Sequence, residues 1–387
     1  MIREEIRKIL NIKKCLCLLG FGILYYLLLL KPYVYSYDGS YRMAVDIAGS
    51  ITEKFGDSIS EEEYEQMKQE APVEIQTRID RFIAQNELFK NYEIHTFREF
   101  TIAEETLPRE ESTELWMELY DSIPEEEVSS ESIAYIKKDL YNMYLDSYHK
   151  EAMGNLDTTS YYENLDKKQK ARVAERNQEE VKGIVPQMVV STNFEVLQYG
   201  SCFAIISILF LILPYMVREN KNGMTMLQYS CKKGRKYYVY KLFACLLSSA
   251  LVLAVEFLLY LVIAKMNCVT DFWNMPAASF SSGYIGWFPL TLGEMTLMNL
   301  LLCTMIAVGV GLLVFGVTRY CRNYITAIAW TLPLVVLAGC YGVLIASHFM
   351  EITRPKYLVA AVAFAILAAG ILTVGGQFLL ERKRNID

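Results

Sequence analysis

The chain has 387 residues, of which 53% are hydrophobic, and a formal net charge of -6. Its positive mean hydropathy excludes a disordered polar chain, and its acidic balance argues against a nucleic-acid partner. Length alone allows one or two domains. The class is decided by the clustering of apolar residues into runs close to the roughly 20 residues that cross a bilayer.

Residues 1–14, "MIREEIRKILNIKK", place Ile2, Ile6, Ile9 and Leu10 at helical spacing beside basic residues, a pattern suited to the headgroup layer. The run 15–31 then has the apolar character of a signal-peptide core behind Lys13 and Lys14. No small-residue cleavage site follows it. Lys31, Pro32 and the tyrosines Tyr33, Tyr35 and Tyr37 come next, which suits an uncleaved first span ending at an aromatic belt.

Segment 32–198 is polar and acidic, with "EEEYE" at 61–65 and "PEEE" at 124–127, and it contains no cysteine. Its length permits a core without disulfides, and its acids read as solvated faces. The spacing of Ile75, Ile79, Phe82 and Ile83, and of Ile133, Ile136, Leu140, Met143 and Tyr144, predicts helices. Ser122 and Glu125 around Pro124 mark a helix start. Pro72, Pro108, Pro124 and Pro186 divide the helical pattern, and Tyr141, Tyr144 and Tyr148 read as a packing face.

Beyond it, spans are expected at 199–217, 242–264, 295–317, 324–347 and 357–380. They are joined by segments 218–241, 265–294, 318–323 and 348–356 and followed by a tail at 381–387. The fold class is an all-α polytopic membrane protein: six transmembrane helices, with a mainly helical extracytoplasmic domain inserted between the first two. Lys and Arg concentrate before the first span, in 218–241, at Arg319 and Arg322, and in the tail, so both termini are expected to be cytoplasmic.

Enzyme signatures are absent. There is no phosphate loop, no G-x-S-x-G elbow and no H-E-x-x-H helix, and His95, His149 and His348 are isolated. No catalytic, cofactor-binding or metal residue is therefore expected. The glycines of "GVGLLVFG" at 309–316 fit close helix approach instead. Within the spans, Ser249, Glu256 and Tyr260 share one helical face and Asn299 lies on the next span. An ionisable residue at that depth faces a bundle interior or an aqueous path, so these four are translocation-path candidates. Pro214 is expected to end or kink the second span, and Pro333 to kink the fifth.

The connector "RENKNGMTMLQYSCKKGRKYYVYKL" at 218–242 is strongly basic, yet it carries Met224, Met226, Leu227 and Tyr229 between Gly223 and Gly234. Such a segment predicts a short helix under the membrane whose apolar residues need lipid or a protein groove. Glu219, Gly223, Leu227, Ser230, Gly234, Arg235 and Lys241 resemble the coupling segment of ABC-2 type exporter permeases. Lys233 stands where that family usually has proline. The order of parts also resembles that family.

The resemblance implies a permease subunit of an ABC exporter in a plasma membrane, expected to be bacterial, moving a peptide, lipid, drug or ion. ATP and Mg would bind cytoplasmic ABC ATPase subunits, not this chain, and a second permease subunit would complete the pore alongside membrane lipids. Residues 1–14 would form the elbow helix. ATPase coupling would fall to Glu219, Gly223, Met226, Leu227, Gly234, Arg235 and Lys241. The alternative is a membrane sensor or assembly or immunity factor that couples to an ATPase without passing a substrate.

Overall fold

A computed structural model describes residues 2–34, 39–60, 80–121, 165–177, 182–224, 234–277, 286–347 and 354–383, with isolated positions between them. In chain order the elements begin with α1 (Ile2–Ile9), α2 (Ile12–Tyr25), α3 (Gly39–Phe55) and β1 (Ser58–Ile59). There follow α4 (Glu87–Asn91), α5 (Phe97–Glu104), α6 (Arg109–Asp121), α7 (Lys167–Asn177) and β2 (Lys182–Gly183). The remainder is α8 (Gln187–Lys221), α9 (Gly234–Met266), α10 (Leu292–Thr318), α11 (Tyr324–Leu334), α12 (Tyr341–Ser347) and α13 (Leu358–Lys383). Apart from the two-residue antiparallel pairing of β1 with β2, the regular structure among the described residues is helical.

Among the described residues, six helical segments are long and apolar enough to cross a membrane, from Ile12–Tyr33 to Leu358–Leu380. The chain is accordingly a multi-pass membrane protein. Large apolar side chains point outward along these segments, with Leu28 75%, Ile325 83% and Leu372 74% exposed. Only hydrocarbon solvates such a surface without cost.

By contact the chain divides into two compact units. One comprises Met1–Ser36, Val189–Asn274 and Ile285–Asp387, and the other Tyr37–Met188 with Met275–Tyr284.

The first unit holds the apolar helices. Asn11 separates α1 from α2, its side chain accepting a hydrogen bond from the Lys13 amide and capping α2. The first span finishes in a π turn, Tyr26–Leu30, and a 3-10 turn, Lys31–Tyr33, carrying Pro32. Two prolines behave differently from each other. α8 continues through Pro214 to Lys221 instead of ending there. Pro333 lies inside α11, and a π turn at Val335–Cys340 follows it.

α10 is the most enclosed span, and α13 lies against it through glycine. A Cβ on Gly309 would come within 2.9 Å of the Ile366 carbonyl oxygen and the Leu367 Cα, and one on Gly370 within 2.6 Å of the Gly309 carbonyl oxygen. Backbone meets backbone there. The small residues of 309–316 thus serve helix approach, since apolar side chains gain no hydrophobic advantage over lipid tails and contact must come from close packing.

The second unit has its own core. Ile83, Phe89, Ile94, Phe100, Leu115 and Leu119 are buried together, with Phe82, Phe97 and Trp116 packed against them. Phe89 meets Phe100 edge to face at 5.4 Å. Thr96 and Glu99 form a capping box that starts α5, and Pro108 directly precedes α6. Ile75, Ile79, the stretch from Ile133 to Tyr148, and the Ser122–Glu125 helix start lie outside the described residues.

Gly309→Ala is expected to lose about 1–3 kcal/mol of stability, because the added methyl can be accommodated only by moving backbone. Gly200→Ala, whose Cβ would meet nothing within 4 Å, is expected to be neutral. Denaturant unfolding in micelles distinguishes the two, and equal losses would contradict the packing described.

Candidate functional site

The connector singled out by sequence is flanked by the end of α8 and the start of α9, and these ends carry its two outermost predicted residues, Glu219 and Lys241. Both are buried: Lys241 is 1% exposed and Glu219 7%. An isolated ammonium at such a position would be strongly disfavoured by lost hydration. The pairing of Lys241 Nζ with Glu219 Oε2 offsets part of that penalty.

The pair belongs to a larger network built around α1. Only one face of that short helix is enclosed, and Glu5 and Ile9, one turn apart, lie on it; Ile2 remains exposed. Lys8 Nζ lies 2.7 Å from Glu5 Oε1 and 3.4 Å from Glu219 Oε1, joining α1 to α8. Tyr215, on α8 one turn before Glu219, donates its hydroxyl to Glu5 Oε2. Tyr237, on α9 one turn before Lys241, donates to Glu5 Oε1 at 3.3 Å, and Lys241 Nζ sits 5.8 Å from the Tyr237 ring centre. Two carboxylates and two ammonium groups therefore bind three helices into one electrostatic unit.

Titration reflects this arrangement. Burial pushes the Glu5 carboxyl up, but the hydrogen bonds from Lys8 and Tyr215, with the charges of Lys8 and Lys241, outweigh it and hold the group below its ordinary 4.5. For Lys8, burial pulls down while Glu5 and Glu219 together hold the ammonium above its ordinary 10.5.

A fourth helix is tied in by Asn220. Its amide nitrogen lies 2.9, 3.1 and 3.0 Å from the carbonyl oxygens of Thr318, Arg319 and Cys321, satisfying the end of α10. Further along the same helices, Tyr260 donates to Asn193 Oδ1 at 2.7 Å and Asn193 donates to Thr296 at 2.9 Å, linking α9, α8 and α10. Asn299 is fully buried; its oxygen accepts from the Cys303 thiol at 3.2 Å, and its nitrogen has no hydrogen-bond partner among the described residues.

A cavity of about 130 Å³ lies beside this polar seam, and Glu256, Tyr260, Ser201, Cys303 and Thr304 line it. Of the four path candidates, Glu256 and Tyr260 are brought together there. Ser249 is buried facing α10, near Gly311, and Asn299 reaches the cavity only through Cys303. Among the coupling candidates, Glu219 and Lys241 meet directly, Gly223 takes a positive φ of 65° just beyond α8, and Gly234 and Arg235 open α9. Met226 and Leu227 lie outside the described residues. Glu5, Lys8, Tyr215, Asn220 and Tyr237 were not anticipated as site residues; the one available signal was that Glu5 shares a helical face with Ile9.

Lys241→Met is expected to cost about 3–5 kcal/mol by leaving buried Glu219 with only its longer contact to Lys8. Adding Glu219→Gln to that variant is expected to recover most of the loss in denaturant unfolding. Additive losses would mean that the two groups do not interact.

The pH dependence has a definite sign. Ionised Glu5, with its lowered value, contributes stability above its unfolded value, and that contribution is lost as pH falls through the folded value, below about 4.5. Charged Lys8, with its raised value, contributes fully below its unfolded value and loses this as pH rises through the folded value, above about 10.5. A spin label at exposed Arg3 is therefore expected to gain mobility at both extremes and stay ordered between them. Unchanged mobility at acid pH would show that Glu5 does not hold α1.

No family model, curated protein or solved structure matches the chain.

Proposed function

We propose that the chain is the transmembrane permease subunit of an ABC exporter of the ABC-2 type, moving its substrate with ATP hydrolysed by separate cytoplasmic subunits. The observation that carries this reading is the buried network at the two ends of the 218–241 connector. A force applied to that connector would act directly on α8 through Glu219, on α9 through Lys241, on α1 through Lys8 and Glu5, and on α10 through Asn220. An ordinary solvated loop has no use for such rigid attachments.

In this reading the termini and the connector are cytoplasmic, α1 is the interfacial elbow, and the acidic unit between the first two spans is extracytoplasmic. Met224, Met226 and Leu227 present the apolar contact for the ATPase, and Gly223 and Gly234 set that short segment off from the spans. The polar seam of Asn193, Tyr260 and Thr296 and the cavity at Glu256 supply a route for polar groups within the apolar bundle. A second permease subunit would complete the path.

The test is affinity purification of the native complex. The expected result is a co-purifying protein with nucleotide-binding motifs, retained by the wild-type chain and lost with Leu227→Asp, which would bury an unpaired charge in an apolar contact at a cost of about 3–5 kcal/mol. Unaltered ATPase recovery and unaltered transport-linked ATP hydrolysis in that variant would overturn the assignment. A retained ATPase with no transported substrate would favour the sensor reading.

A further inference from the structure

A second and larger recess, about 530 Å³, lies between α2, α8 and α9. Its walls are aliphatic and aromatic, including Leu18, Gly22, Phe203, Leu259 and Ile263, and among the described residues no Lys, Arg or His lines it. One carboxylate does: Glu256. Glu256, Tyr260, Val196 and Gly200 are common to this groove and to the smaller cavity, so the carboxylate stands where the two adjoin.

Two facts define what would occupy the groove. The apolar walls suit a hydrocarbon chain, which gains by leaving water. The acid is half-buried, and among the described residues it makes neither an ion pair nor a hydrogen bond. A carboxylate against low-dielectric walls attracts a cation strongly and repels an anion equally strongly. The aromatic rings of Tyr25 and Phe203, which also line the groove and lie tilted to one another with centroids 4.9 Å apart, add π faces of the kind that accept alkylammonium groups. One negative charge with no basic residue beside it among the described residues matches one positive charge.

We propose that this groove binds a monocationic amphiphile, a single alkyl chain ending in an ammonium group, with Glu256 as its counter-ion. The charge match favours this occupant over a zwitterionic phospholipid, whose phosphate would be brought towards the acid without any basic residue to receive it. The permease reading enters only in making such a molecule cargo. Binding is measured on the chain alone, without an ATPase, so failure here and failure of the permease reading are distinguishable.

The chain is reconstituted in phosphatidylcholine nanodiscs and titrated with radiolabelled decyltrimethylammonium, with empty discs subtracted. Saturable binding is expected, displaced by the unlabelled ammonium and unaffected by decanesulfonate. Glu256→Gln is expected to weaken it by about tenfold or more. Gly200→Leu, whose new side chain enters space that is open in the native chain, is expected to abolish it while leaving the carboxylate in place. Undiminished binding to Glu256→Gln would overturn the proposal, because the groove would then be selecting for hydrocarbon alone. So would equal competition by decanesulfonate or decanol, a signal no greater than that of empty discs, or cysteine cross-linking between two copies at Leu259 that seals the groove. If Glu256→Gln does not fold, Gly200→Leu and the competitor series decide the matter on their own.

Discussion

A lysine ammonium that is 1% exposed can persist in a folded chain only beside a negative charge, and the Lys241–Glu219 pair meets that requirement at the point where the second and third spans come together. Its position has consequences for everything near it. Because Glu219 also receives Lys8, and Lys8 in turn holds Glu5, the α1 helix is fixed by charge as well as by the burial of Ile9. Tyr215 and Tyr237 complete the coordination of Glu5 from the two spans. Replacing a buried ion pair by apolar residues of similar size commonly preserves stability, so the value of the pair here lies in fixing which helices meet and in what register.

The rest of the membrane unit obeys a different constraint. With lipid outside, apolar side chains do not drive the helices together, and the glycines at 309 and 370 allow the two backbones to close instead. The buried polar contacts, Tyr260 to Asn193 to Thr296 and Asn220 to the end of α10, then give that packing a defined arrangement. Among the described residues, π turns interrupt the spans at Tyr26–Leu30 and at Val335–Cys340, the second two residues after Pro333.

Much of this architecture was legible in the residues. Six apolar runs at spanning length, the small residues of 309–316 and the peculiarity of the 218–241 connector follow from composition and spacing alone. The chemistry of the connector's ends was only partly legible. Glu219 and Lys241 stood out, but as groups facing another protein; that they face one another depends on how α8 and α9 return on themselves, which spacing along the chain does not encode. Glu5 was hidden for a related reason, since an acid between isoleucines on an interfacial helix reads as part of the polar face until Tyr215 and Tyr237 are placed around it. Segment 265–294 read as a simple loop, whereas Met275–Tyr284 belongs to the second compact unit. Pro214 read as an end or a kink because proline disrupts an isolated helix; α8 does not end there but continues to Lys221.

If the Lys241–Glu219 pair is the joint on which α1, α8 and α9 depend, weakening it must loosen all three together. Amide hydrogen exchange in nanodiscs, comparing the wild-type chain with Glu219→Gln, measures this directly. The expected result is faster exchange in residues 2–9 and 234–241 as well as around 219, with α10 and α13 unchanged at their glycine contact. Faster exchange limited to the neighbourhood of residue 219, with α1 and the start of α9 as protected as before, would contradict it.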